Sequence, residues 1–391
     1  MTITQLRPLR IGFLTELEPT FIATVNLAPV ANGQSSPPPP RTDSTEPATY
    51  TATARQTQRK IRRTRDTQRQ RCCTRGERPA GQGYHPRMGK FFDSWRSHLL
   101  VTLSGNSEGR PKWVGQIATG DDAGYFGPGS AAWAVHGGMA TMVAGIRALL
   151  MQTLHPGAMA GVHDWSRYHE DPLGRLSGTI QWLVTVTFAD TVVAQRESDR
   201  VAHFHERVAG TYLDAQGKER PYTAGDPELL SWVHVVFTDA FLQTHLLWGD
   251  AIPGGSDGYV NEWATAGELI GVQNAPHSAS ELAAQLEAFR SAGTLKSDAR
   301  VAEAVRFIRY PPLSRGMLPF YRIMFAGAVA SIPREYRDML GLKRSRLPSL
   351  WATRLVLGVV RTLLGPSSTS EDAARARLAR ITRTDQLAPE T

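Results

Sequence analysis

The chain has 391 residues, with 44 Lys and Arg against 36 Asp and Glu and only two cysteines. Its length suffices for one large domain with an appendage or for two domains, and a hydrophobic content of 41% suffices for a sizeable core. The adjacent cysteines, Cys72 and Cys73, exclude a disulfide framework and the ligand spacings of zinc fingers, ferredoxins and c-type haem attachment. Glu16 and Glu18 interrupt the stretch that a signal peptide would need, and a membrane-spanning helix is not expected. The sequence therefore predicts a cytoplasmic protein.

The positive charge is concentrated at the start of the chain. Residues 1–90 hold 15 Lys and Arg and 6 Asp and Glu, which leaves 29 basic and 30 acidic residues for the remainder. The basic run Arg55–Arg78 has no interleaved aromatic residues and no nucleic-acid-binding motif. Such a run is typical of a solvated segment, so no specific nucleic-acid partner is predicted.

Composition divides the chain into four parts. Residues 1–87 contain a Pro-rich stretch and a Thr/Arg/Gln-rich tract, which predict a disordered basic extension. Met88 offers an alternative start, after which 88–119 form an ill-defined lead-in. Period-3.6 patterning then predicts one large helical bundle domain over 120–342, followed by amphipathic helices over 343–391. The expected fold class is all-α.

Capping residues and prolines predict the helices in chain order. Ser130 is expected to cap a helix that runs to His155, with an apolar stripe of Trp133, Met139, Met142, Val143, Ile146, Leu149, Leu150 and Leu154. Asp171-Pro172 opens a helix to Leu183 or as far as Ala194, and Asp226-Pro227 precedes an all-apolar, buried helix Leu229–Trp248. Further helices are predicted over 278–290, 297–309, 317–331, 334–340, 348–364 and 370–382.

Helical periodicity predicts that one histidine lies on the buried side of its helix. Over Arg200–Tyr212 a single helix face carries Val201, Phe204, Val208 and Tyr212. His205 lies four residues after the first of these and beside this stripe, whereas His203 lies on the opposite side. An imidazole in apolar surroundings is either a core histidine held by a hydrogen bond or a ligand of a metal or haem iron. By the same argument, His136, His234 and His245 are alternative candidates for a metal or haem ligand.

Arg175 and Thr179 lie four residues apart, hence on one helix face that Trp182 and Val186 continue. A buried arginine needs a carboxylate or an anionic ligand. An internal salt bridge with Asp164 or Asp226 and a contact with a bound anion are both open.

Six motifs in order carry a resemblance to a known family. They are Gly127-Pro-Gly-Ser130-x-x-Trp133, Leu149-Leu150-x-Gln152-x-x-His155-Pro156, Gly161-Val162-x-x-x-Ser166, Asp171-Pro172-x-x-Arg175-Leu176-x-x-Thr179, His205-x-x-Val208-x-Gly210 and Tyr222-x-Ala224-x-Asp226-Pro227. Over about 120–250, and more loosely to Leu342, the chain resembles the mpaB/rubber-oxygenase catalytic domain.

The resemblance implies an all-helical oxygenase that holds haem b non-covalently and uses dioxygen. By position, His205 looks like the haem-iron ligand, and Arg175 and Thr179 look like pocket residues with a cofactor-binding and catalytic role. Where rubber oxygenases carry a lysine before that threonine, this chain has Gly178, and residues 154–165 contain no glutamate to match their catalytic base. Polyisoprene cleavage is therefore not expected, and an apolar, isoprenoid or lipid-like small molecule is the expected substrate class.

Two other functions remain open at this point. One is a non-catalytic scaffold or lipid-binding protein of the same fold, and the other is a non-haem metal enzyme that uses His155, His163 and His205. The helix Leu350–Leu364 carries Arg354 and Arg361 beside leucines and valines, so it either packs on the domain or makes a peripheral membrane contact. The oligomeric state is not predicted.

Overall fold

The structure, a computed structural model, describes residues 112–165, 172–345, 348–365 and 367–387. The predicted extension 1–87 lies outside these ranges, and so does the lead-in up to residue 111. The side chains of residues 172–177, including that of Arg175, are also outside the description.

Fourteen helices and one two-stranded sheet make up the described ranges, which confirms the predicted all-α class. In chain order the helices are α1 (Lys112–Ile117), α2 (Ala131–Gly137), α3 (Thr141–Gln152), α4 (Pro156–Trp165), α5 (Pro172–Phe188), α6 (Thr191–Arg207), α7 (Pro227–Trp248), α8 (Gly255–Glu268), α9 (Ala279–Ser291), α10 (Ala299–Arg309), α11 (Leu318–Ser331), α12 (Arg334–Met339), α13 (Ser349–Leu364) and α14 (Thr369–Leu387). The strands β1 (Ala209–Leu213) and β2 (Glu219–Thr223) lie between α6 and α7.

The core is built around α7. This helix packs against α3, α8 and α9, and it is buried on most of its circumference, with Trp232, Val235 and Val236 fully enclosed. Helix α11 packs against α3 and α13. The all-round apolar composition of α7 therefore marks the central helix of the bundle, as predicted.

Local capping signals place several helix starts correctly. The Ser130 hydroxyl accepts a hydrogen bond from the backbone N–H of Trp133 (3.2 Å), and that of Ser278 accepts one from Glu281 (3.2 Å). Pro227 opens α7, and Gly249 follows its last residue. These signals work because they satisfy backbone groups at the helix ends whatever the rest of the chain does.

The predicted single helix from Ser130 to His155 is wrong. It is two helices, α2 and α3, which are bent by 90° relative to each other. Gly138 lies at the break in an extended conformation, with the ring of His245 3.5 Å from where its Cβ would stand. Two consecutive glycines disfavour a continuous helix, and the tertiary contact with α7 fixes the bend. Pro156, expected only to stop a helix, opens α4.

Helix α5 ends at Phe188, so its extension to Ala194 is also wrong. Asp190 caps the next helix, because its side chain accepts from the N–H of Val193 (2.9 Å). The Asp122 carboxylate accepts a further hydrogen bond from the backbone N–H of Thr191 (2.9 Å). The result is a tight α5–α6 hairpin.

Within the described ranges, no helix is by itself both long and apolar enough to cross a membrane. Helices α2 and α3 are long and apolar enough only when they are taken together, and they are bent by 90° relative to each other.

Candidate functional site

The α5–α6 hairpin brings the predicted site residues onto neighbouring helices. One hydrogen bond fixes the pairing of the two helices: the indole N–H of Trp182 donates to the hydroxyl of Ser198 (3.1 Å), and both residues are buried. Seven residues further from the turn are Arg175 on α5 and His205 on α6. Since seven residues make about two turns, Arg175 and His205 each lie about two turns beyond this hydrogen bond on their own helices.

His205 lies on the inner face of α6. Ala194, Glu197 and Ser198 are buried on this face, and Val201 and His205 continue it half-buried. The Nδ1 atom of His205 is buried, whereas the side chain of His203 is 68% exposed. The predicted orientations of the two histidines are therefore confirmed, although His205 is less deeply enclosed than expected.

The predicted continuation of this helix to Tyr212 is wrong. Helix α6 ends at Arg207, Val208 is extended, and β1 begins at Ala209. Phe204, assigned to the buried face, is 40% exposed. Val208 is buried as expected, but it lies directly before β1 and packs with Ala160, Tyr222 and Leu229. Val201, by contrast, packs on the main core, so the two valines do not belong to one buried helix face.

Thr179 lies half-buried on α5, one turn closer to the hairpin bend than Arg175. Beside it, a Cβ atom added at Gly178 would lie within 4 Å of no described atom outside its own helix. Asp226 and Asp164, the carboxylates predicted as possible partners of Arg175, make contacts of their own. Asp226 accepts from the N–H and hydroxyl of Thr223 (2.9 and 2.7 Å), and Asp164 lies 3.0 Å from the Nδ1 of His163.

The three rival histidines are buried, as predicted, but closely packed. The ring centroids of His136 and Trp263 lie 3.9 Å apart, and the Nε2 atom of His136 is 3.2 Å from the hydroxyl oxygen of Tyr259. Burial lowers the pKa of His136 to about 3, with a smaller contribution from the nearby His245. Burial likewise lowers the pKa of His234 to about 4.

Two neighbouring glycines show that little space surrounds the rings of His234 and His245. A Cβ atom at Gly267 would lie 2.7 Å from the ring of His234, and one at Gly249 would lie 2.5 Å from the ring of His245. Backbone thus occupies the space in which a macrocycle would have to stand. Among the four candidates, His205 is the one that is only half-buried, whereas His136, His234 and His245 are enclosed by the packed core.

His155 has a different environment. Its Nδ1 accepts from the backbone N–H of Gly157 (3.2 Å), which assigns the ring proton to Nε2, 3.6 Å from Glu228. Burial lowers the pKa of His155 against the opposing effect of Glu228. Sequence reasoning missed this pair, although Glu228 in the first turn after Pro227 was visible. Within the ranges that the structure describes, no three His, Cys, Asp or Glu side chains are grouped to hold a metal ion, so His155, His163 and His205 do not form the non-haem site considered above.

A comparison with protein families finds one match. The family described as "ER-bound oxygenase mpaB/B'/Rubber oxygenase, catalytic domain" matches residues 133–363. The chain belongs to this family. The matched span runs from within α2 to within α13 and includes Arg175, Thr179 and His205. Neither the curated proteins nor the solved structures contain a match to the chain.

Membership confirms the predicted resemblance and assigns the chain to a family of oxygenases, enzymes that act with dioxygen. An apolar small molecule is the substrate class that the family suggests.

Proposed function

We propose that this chain is a haem b-dependent oxygenase that uses dioxygen on an apolar substrate of isoprenoid or lipid-like chemistry. The observation that carries the proposal is the register of the α5–α6 hairpin. Positions 175 and 205 each lie seven residues beyond the Trp182–Ser198 hydrogen bond (3.1 Å), on neighbouring helices. A nitrogen ligand and a cation on neighbouring helices suit a group with a central metal and anionic substituents.

Each residue then has a role that its position supports. By the family resemblance, His205 would ligate the iron and Arg175 would pair with a propionate. Thr179, one turn deeper, would donate a hydrogen bond within the pocket. Haem b, when bound, supplies the redox chemistry of dioxygen, and the protein supplies ligation, polarity and access.

Apolar side chains occupy the same two helices. Trp182 is buried, and Ile180 and Val201 are partly buried and pack on the main core. These side chains would exclude water beside the half-buried His205, which strengthens any interaction with the arginine. Gly178 leaves space where rubber oxygenases carry a lysine, so a substrate or dioxygen would not compete with an internal ligand at that position.

The test is an absorption spectrum of the full chain after purification with haem supplied, both oxidised and dithionite-reduced. We expect a Soret band that His205→Ala abolishes. The matched control is His203→Ala, two residues away on the exposed side of α6, which should retain the band.

The other outcomes contradict the proposal in distinguishable ways. A folded, colourless and iron-free protein would favour the scaffold or lipid-binding alternative. Iron without a porphyrin spectrum would indicate a non-haem enzyme, and full haem retention by His205→Ala would refute the assignment of the ligand.

A further inference from the structure

Helix α13 exposes an apolar stripe. Trp351, Leu355 and Val359 are 66%, 54% and 48% exposed, and their spacing of four residues places them on one face. The opposite face packs on the bundle through buried Leu357 and Val360. The helix is thus anchored on one side and presents three large apolar side chains on the other.

Basic residues border this stripe. Arg354 and Arg361, seven residues apart, are both exposed. Arg354 donates to the backbone carbonyl of Leu247 (2.5 Å), and Arg361 forms an exposed ion pair with Asp250 (3.0 Å). Both arginines are therefore held at the surface beside the stripe.

The surrounding sequence has a pronounced charge bias. Between Asp338 and Glu371 there is no acidic residue, while five basic residues occur: Lys343, Arg344, Arg346, Arg354 and Arg361. Residues 91–391 as a whole hold 29 basic and 30 acidic residues. The sequence of α13 and of the segment before it is therefore more basic than the average of this part of the chain.

We propose that α13 docks the protein on an anionic membrane surface. Trp351, Leu355 and Val359 would enter the headgroup region, and the basic residues would contact lipid phosphates. Tryptophan favours this interfacial depth because its ring is apolar and its N–H is polar. A second copy of the chain fits the face less well, because a two-fold contact through the stripe would bring the same basic residues together.

The first experiment measures co-sedimentation of the full chain with vesicles of phosphatidylcholine, with and without phosphatidylglycerol. We expect binding that requires phosphatidylglycerol, and Leu355→Glu should lower the partition coefficient by about tenfold or more. Lys343→Gln and Arg344→Gln should each lower it by about fivefold. The matched control is Val192→Glu on α6, where the wild-type residue is 58% exposed, and its binding should be unchanged.

A second measurement separates α13 from the basic residues 1–90, which would also attract anionic vesicles. Bromine-labelled lipids should quench tryptophan fluorescence in the wild-type chain and much less in Trp351→Phe. Equal quenching in both chains, or equal loss of binding in Leu355→Glu and Val192→Glu, would overturn the proposal. So would light scattering that shows a dimer dissociated by Leu355→Glu while vesicle binding is retained. None of these readouts depends on haem.

Discussion

Burial decides the charge of several histidines. His136, His155, His234 and His245 are each no more than 4% exposed, and burial lowers the pKa of all four. A neutral imidazole costs less to bury than an imidazolium. These rings therefore contribute to packing as uncharged groups at neutral pH, while the unfolded chain would protonate them near their ordinary pKa.

The pKa of His136 predicts an acid-sensitive stability. Its pKa is about 3 in the folded protein and 6.5 ordinarily, so between these values the unfolded chain binds a proton that the folded chain does not. The free energy of unfolding should fall, per such group, by up to about 1.4 kcal/mol per pH unit as the pH drops below 6.5. Urea unfolding at several pH values measures this slope.

Substitution isolates the contribution of one ring. His136→Gln should reduce the slope by about one proton, or about 1.4 kcal/mol per pH unit, even if the variant is less stable throughout. An unaltered slope in His136→Gln would show that this ring is not the titrating group.

At the scale of elements, the α11–α13 crossing depends on a glycine. A Cβ atom at Gly327 would stand 2.3 Å from the hydroxyl oxygen of Thr353, which itself donates to the carbonyl of Ile323 (3.2 Å). Close approach of the two helices is therefore possible only without a side chain at this position. The crossing holds α13 on the bundle, with its apolar stripe outward.

Gly327→Ala should destabilise the protein by about 1–3 kcal/mol, because the overpacked methyl group outweighs the better helix propensity of alanine. Thr353→Ala in the same chain should recover part of the loss, as expected for side chains in contact. Chemical unfolding of both variants measures the coupling. Gly358→Ala, also in α13 but with no atom within 4 Å of the added Cβ, is the control and should be neutral or stabilising.

At the scale of the whole molecule, one buried ion pair connects three helices. Arg147 of α3 pairs with Asp239 of α7 and donates to the carbonyl of Ser331 at the end of α11. Arg147 is 1% exposed and Asp239 is 7% exposed. A buried charge without a partner is costly, so the pair couples the packing of the three helices.

Arg147→Ala should therefore lower the free energy of unfolding by about 3–5 kcal/mol, since it leaves Asp239 buried without its partner. The double variant Arg147→Met with Asp239→Leu should lose less than the single variant, because it removes both charges. Denaturant titration distinguishes the two cases. A double variant less stable than Arg147→Ala would show that the ion pair contributes net stability.

The sequence by itself determined the features that local chemistry controls. Ser130 and Ser278 cap helices, Pro227 opens α7, and the all-apolar α7 is central, because caps and periodicity act within a few residues. The inward position of His205 also followed from local periodicity. The family resemblance was carried by short motifs and needed no tertiary information.

Only the tertiary structure decided the rest. The bend between α2 and α3 depends on His245 packing against Gly138, and the end of α6 depends on β1 pairing with β2 from Ala209↔Thr223 onward. The Arg147–Asp239 pair joins residues far apart in sequence. Such contacts are set by how whole helices pack, and the pattern along a single helix does not contain that information.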